Sequence, residues 1–267
     1  MRAVLAFFLR DFRIYKSYRL GFLVRIAQAF FTLASFFFIG KLIYPHSPEA
    51  LREYGGDYFP FVIIGIAYSR YLGICLSSLG TLLRDEQIQG TLEYMLVTPV
   101  GFFKICLGLL SWEFVWTSIE VGFYVFLGVF VFGFNIGNAN MFSAFLVLVL
   151  SLSALFSLGL MSAAFTLLFK DADAFDWALG GLMRFVCGVY FPVSILPMWL
   201  QNLSSYLPLT YALSGLRQAV ILGKTVAELS GVLLALFAFS IILWPVAFLI
   251  FGASIRRLKV NGALGFR

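Results

Sequence analysis

The sequence predicts an all-α integral membrane protein with six transmembrane helices, on three observations. The 267 residues are 61% hydrophobic and 12% charged, with a mean hydropathy of +0.96, whereas a soluble domain carries about a quarter charged residues. Six apolar stretches each reach the roughly 20 residues that the hydrocarbon core of a bilayer demands. Lys and Arg gather at one set of loops between those stretches, as membrane topology requires. The 32 phenylalanines fit the same solvent, because that many aromatic rings on a soluble surface would aggregate.

The start, "MRAVLAFFLRDFRIYKSYR", is no cleavable signal: charges interrupt its apolar core and no small-residue cleavage site follows. Residues 1–19 read instead as an amphipathic interfacial helix. Phe7, Phe8, Ile14, Tyr15 and Tyr18 would bury at the headgroups while Arg10, Arg13, Lys16 and Arg19 meet lipid phosphates. The first two spans are expected at 20–44 and 58–83.

After them comes "LRDEQIQGTLEYMLVTP", the most polar run of its length. A helix from Arg84 to about Val97, stopped by Pro99, would turn Asp85, Glu86, Gln89 and Glu93 largely to one side and Ile88, Leu92 and Leu96 to the other. Gly90 and Thr91 allow a kink and a local cap. Such a helix lies along the membrane surface and offers a handle to another protein.

The third span, 101–133, is longer than a crossing needs, so tilt or an extension is expected. Glu113 and Glu120, seven apart, share a face of it. Buried acids are costly in lipid, and Arg25, Arg70 and Arg184 are the candidate partners. Two readings stand side by side: ion pairs that hold the bundle together, or charges that line a substrate path. Arg25 also has the option of snorkelling to the interface. The fourth span, 141–169, carries Gly159 and Ala163 as a small-xxx-small packing pair, and the fifth is placed at 174–196.

Between the fifth and sixth spans runs "FPVSILPMWLQNLSSYLPLTYALSGLRQAVILGK". Pro192, Pro197 and Pro208 cut it into pieces too short to cross, with Trp199, Tyr206 and Tyr211 at interface-like positions. Two short re-entrant or surface helices over 197–222 are expected, and the last span at 229–255.

Twelve basic residues fall on one side: Arg2, Arg10, Arg13, Lys16, Arg19, Arg84, Lys104, Lys170, Arg256, Arg257, Lys259 and Arg267. Lys41, Arg52, Arg217 and Lys224 fall on the other. Both termini and the 84–98 stretch are therefore expected to be cytoplasmic.

Other chemistry is excluded more easily. The net charge of +6 sits beside apolar segments, which argues for topology and against nucleic acid. Cys75, Cys106 and Cys187 are scattered without CxxC spacing, and His46 is alone, so neither a disulfide framework nor a metal site is implied. Ser77, Ser78, Ser151, Ser153 and Ser157 have no general base near them in sequence, which disfavours an enzyme. "GKT" at Gly223 to Thr225 ends like a phosphate-binding loop, but Gln218 stands where the motif needs its first Gly.

"RDEQIQGTLEYMLVTPV" resembles the cytoplasmic coupling-helix motif of type-2 ABC exporter permeases. "VYFPVSILPMWLQNLSSYLPLTYALSGLR" resembles the stretch after that family's fifth span, and both occur in the expected order. The usual Glu-Arg-Glu lead is only partly reproduced, since the chain reads Arg84, Asp85, Glu86, Gln87. The resemblance implies a single transmembrane permease domain over 1–267. Arg84, Asp85, Glu86, Gln89, Gly90, Thr91 and Glu93 would dock in a groove of a separate ATP-hydrolysing subunit, and Pro192, Pro197, Pro208, Thr210 and Tyr211 would form an outer gate. It also implies no cofactor in this chain, with ATP and Mg in the partner ATPase, a homodimer of permeases, and a place in the cytoplasmic membrane of a prokaryote. The cargo would be amphipathic or lipid-linked: a glycan, lipid or drug-like molecule. Two rivals remain: an ion-coupled secondary transporter that uses Glu113 or Glu120, and a membrane-embedded lipid-modifying enzyme.

Overall fold

A computed structural model describes residues 2–17, 19–43, 49–98, 100–168 and 172–260, with side chains described except at 2–3, 16–17, 19–20, 22–23, 92–93, 96, 102, 167–168, 172–175 and 258–260. All regular structure among them is helical. In order the helices are α1 (Arg2–Ser17), α2 (Arg19–Ile43), α3 (Glu49–Arg52) and α4 (Tyr58–Gly73), which continues through a π-helical turn (Ile74–Ser78) into α5 (Leu79–Ile88). Then come α6 (Thr91–Val97), α7 (Phe102–Phe130), α8 (Met141–Leu168), α9 (Ala172–Val186), α10 (Met198–Ser205), α11 (Pro208–Val220) and α12 (Ser230–Val260).

Five of these, among the described residues, are long and apolar enough to cross a membrane: Val24–Ile43, Tyr58–Ile88, Phe103–Phe130, Met141–Thr166 and Ser230–Arg257. Helix is the form that satisfies backbone N–H and C=O groups within one segment where no water is available. The Tyr58–Ile88 rod is the central one, with most of its residues buried, whereas α2 and α12 leave most of theirs exposed.

Side-chain bonds give the directions of the helices. Tyr71 donates to Ser118 at 3.1 Å and Arg70 meets Glu120 at 2.7 Å, so α4 and α7 run antiparallel. Ser240 reaches the Leu150 carbonyl, Trp244 the Ser153 hydroxyl and Ser254 the Ala164 carbonyl, so α8 and α12 run parallel. The segment between them therefore returns the chain to the end from which α8 set out. The small pair Gly159 and Ala163 does pack as its spacing suggests: Ala163 is fully buried, and a Cβ at Gly159 would lie 1.5 Å from the Cys75 carbonyl oxygen of the π-helical turn. Only a glycine lets the two backbones come that close.

Three features differ from the sequence expectation. In place of a span over 174–196 there are the 15-residue α9 and one 3-10 turn at Val193–Ile195; α9 is about 22 Å long at 1.5 Å per residue, short of the roughly 30 Å of hydrocarbon. Gly188 at φ +78° ends it, followed within a few residues by Pro192 and Pro197. Hydropathy counts apolar residues and is blind to these breaks. Next, the helix expected over 84–97 is two helices, since α5 ends at Ile88 and α6 begins at Thr91. Last, α1 packs lengthwise on α7. Phe8 and Phe12 lie edge-on to Trp112, Tyr15 packs on Trp112 and Trp116, and Phe7 fills the space that a Cβ at Gly108 would need. Much of its apolar face is thus taken by protein.

Candidate functional site

The corner between α5 and α6 is built from its hydrogen bonds. Gln89 closes α5 by donating its N–H to the Asp85 carbonyl at 3.0 Å, and Gly90 then takes φ +72°, a left-handed conformation that costs an L side chain energy. The Thr91 hydroxyl lies within reach of both the carbonyl and the carboxylate of Glu86. Glu86 is only 5% exposed, and Arg10 of α1 meets it at 2.7 Å while also holding Asp11 at 2.8 Å. One buried carboxylate therefore joins three helices: α1 through Arg10, α5 through its own backbone, and α6 through Thr91.

Around that anchor the corner faces outward. Asp85, Gln89 and Gly90 are exposed, and beside them Ile88 is 59%, Tyr94 77% and Val97 86% exposed. Arg84 is half-buried. The Glu93 side chain lies outside the described residues.

The charges inside the spans are engaged. Glu120 pairs with Arg70 at 2.7 Å. Glu113 accepts a 2.8 Å hydrogen bond from the Tyr15 hydroxyl, toward which Arg25 extends at 3.4 Å while lying against the Tyr15 and Trp116 rings. Burial first, and the Glu113 bond second, push the Tyr15 hydroxyl up to about 12, so it remains a donor at neutral pH. The two acids thus serve different neighbours, α4 and α1. Arg184, in the last turn of α9, forms no ion pair with either.

At the far end of the bundle from the corner, α10 and α11 form a short helical hairpin. Pro197 precedes α10, and Pro208 opens α11 where its missing N–H is not needed. The hairpin is tied by Thr210 to the Ser204 carbonyl at 2.7 Å and by the Tyr211 hydroxyl to the Ser205 carbonyl at 3.1 Å. Pro192 is buried just before it.

Two polar anchors escaped the sequence reading. The sequence reading counts Arg217 only among the outer-side basic residues, yet it is 3% exposed. Its guanidinium donates to the carbonyls of Phe61 (3.1 Å), Gly188 (2.8 Å) and Val189 (3.0 Å), and lies 3.4 Å over the Phe61 ring. It therefore satisfies the carbonyls left free where α9 stops. Asp176, 3% exposed in α9, takes bonds from Ser162 and Thr166 of α8. The signal for it was present: two hydroxyls four apart on one helix face, followed by an acid early in the next helix.

Comparison with known proteins adds two findings. The profile of a family described as "ABC-2 type transporter" matches residues 2–221. A linearmycin resistance permease protein of Bacillus subtilis (strain 168) is 30% identical over 168 residues, covering 62% of this chain and 43% of that protein. The match thus spans less than half the length of that relative.

Proposed function

The chain belongs to the ABC-2 type transporter family, as a multi-pass membrane permease and not a catalytic subunit, and from that premise we propose that it is an exporter permease driven by a separate ATPase subunit. The observation that carries the reading is the α5–α6 corner. Ile88, Tyr94 and Val97 are exposed apolar residues set beside the exposed polar Asp85 and Gln89, at the edge of the spans and on a rigid anchor. A lipid-facing surface would be apolar throughout, and a solvent-facing one would be polar. A mixed patch suits a protein groove.

In this reading residues 84–98 dock on the ATPase, with Glu93 among the contacts by resemblance. ATP and Mg bind in that partner. Closure of the ATPase pair moves α6 as a rigid body, and the Glu86 anchor passes the displacement to α1 and α5. Two permeases make the working unit as a homodimer. The chain crosses the cytoplasmic membrane of a prokaryote six times. The return between α8 and α12 supplies the crossing that the five long helices lack, and the α10–α11 hairpin, with Pro192, Pro197, Pro208, Thr210 and Tyr211, forms a re-entrant outer gate. Both termini are then cytoplasmic, in keeping with the excess of Lys and Arg on that side. The cargo is amphipathic, and the likeness to a linearmycin resistance permease makes a drug-like molecule the first to test. The partnered state of Glu113 and Glu120 speaks against their use as ion-coupling groups.

The test is to purify the tagged chain from its native membrane in mild detergent and measure the ATPase subunit recovered with it. Equimolar recovery is expected, falling at least several-fold for Tyr94→Ala combined with Val97→Asp. Recovery of a folded chain without any ATPase, under several gentle conditions, would overturn the reading.

A further inference from the structure

At the end of the bundle opposite the α5–α6 corner lies a cavity of about 610 Å³ that the transport reading does not use. It opens between the last turn of α2, the start of α4 and the α7–α8 connection. Its walls are aromatic: Phe37, Tyr54, Tyr58 and Phe132 are among them, with Phe37 and Phe132 in ring contact at 5.0 Å. Two charges of opposite sign line it, Lys41 and Asp57.

Those two charges do not neutralise one another, since no ion pair joins them among the described residues. Lys41 rests 4.8 Å over the Phe37 ring, and Asp57 stands at the N-cap of α4 without a side-chain capping bond. The cavity therefore offers a cation and an anion separately on aromatic walls. The complement of that pattern is a molecule carrying both charges, with its anion for Lys41 and a hydrogen-bonding cation for Asp57.

The position narrows the class further. The cavity sits where spans begin and end, which is the depth of lipid headgroups. Beside it Phe38, Ile39 and Leu42 of α2, with Phe130 and Val131 at the end of α7, are exposed apolar residues able to carry acyl chains. The volume lies within the ordinary range of small-molecule sites, about 300–1,000 Å³. We propose that this cavity is a binding site for a zwitterionic phospholipid headgroup, phosphatidylethanolamine, with Lys41 on its phosphate and Asp57 on its ammonium. The site depends on membrane insertion and not on docking of an ATPase, so it stands or falls apart from the transport reading.

The test is lipid retention by the full chain purified in mild detergent, read by native mass spectrometry after exchange into phosphatidylethanolamine or phosphatidylglycerol of matched acyl chains. Wild type should retain phosphatidylethanolamine in preference. Asp57→Asn should lower its retention at least about tenfold and abolish the preference, the loss expected for one charge-assisted hydrogen bond. Lys41→Gln should lose both lipids, and Lys41→Arg should restore them, which separates loss of the phosphate contact from damage to the fold. Equal retention of the two lipids by wild type, or no change with Asp57→Asn, would overturn the proposal. So would displacement of the lipid by excess soluble phosphoethanolamine, because the site would then serve a free zwitterion.

Discussion

Glu86 is 5% exposed, and its carboxylate is partnered there by both Arg10 and Thr91. Arg10 is 40% exposed, so the ion pair alone is worth about 1 kcal/mol or less. The larger quantity is the penalty for leaving groups around a buried site unpartnered, about 1–3 kcal/mol. Glu86→Ala should therefore lower the melting temperature in detergent and reduce nucleotide-driven turnover several-fold. Arg10→Ala should give a smaller effect of the same kind, and the double variant should fall short of the sum, as expected for residues in contact. Strict additivity would show that the two act independently. Arg217 calls for a harsher outcome. Arg217→Met leaves the buried Gly188 and Val189 carbonyls without their donor and should cost about 3 kcal/mol, and Arg217→Lys should recover only part of it, since an ammonium cannot reproduce the planar fork. Membrane yield and thermal stability check both. Neither anchor is legible in the sequence: Glu86 reads as one more charge of a polar helix face, and Arg217 looks the same in sequence whether it faces water, lipid or a free carbonyl.

Periodicity and length mark the long helices clearly: α2, α4 with α5, α7, α8 and α12 begin and end within a few residues of the apolar stretches. The breaks are harder to see. Gly90 is visible as a permitted kink, and the structure makes it an obligatory corner. Gly188 and the prolines that follow are visible too, but their effect on α9 is hidden by the hydrophobic residues set among them, such as Val189, Tyr190 and Phe191. At this scale the sharpest prediction concerns the contact of α8 with the π-helical turn. Gly159→Ala must drive the helices apart, because its Cβ would overlap the Cys75 carbonyl, whereas Gly231→Ala at the start of α12 meets nothing within 4 Å. The first should fold poorly and the second should match wild type, with equal yields of both counting against the close approach.

For the molecule as a whole, the parallel alignment of α8 and α12 fixes the parity of the chain. Gln89→Cys and Arg257→Cys should react with an impermeant maleimide from one face of the membrane, and Arg52→Cys and Glu228→Cys from the other. Wild type serves as the blank, since Cys75, Cys106 and Cys187 are all buried. Labelling of Gln89→Cys and Glu228→Cys from the same face would refute the arrangement. The positive bias in the sequence leads to the same expected sidedness, but it carries no sign that the segment between α8 and α12 is a 15-residue helix followed by a hairpin.

The lengthwise seat of α1 on α7 has a consequence for biosynthesis. Its contacts lie at Gly108 to Trp116, and its charged latch, Glu86, follows Arg10 by 76 residues. At roughly 5–20 residues per second, the ribosome needs about 5–20 s to make the segment that receives α1. During that interval the newborn helix has to shelter Phe7, Phe8 and Phe12 elsewhere, and the surface of the bilayer is the available refuge. The amphipathic pattern at the amino terminus then describes a waiting place on the lipid as well as a destination against α7, and a chain stalled before residue 102 should leave α1 parked at the membrane surface.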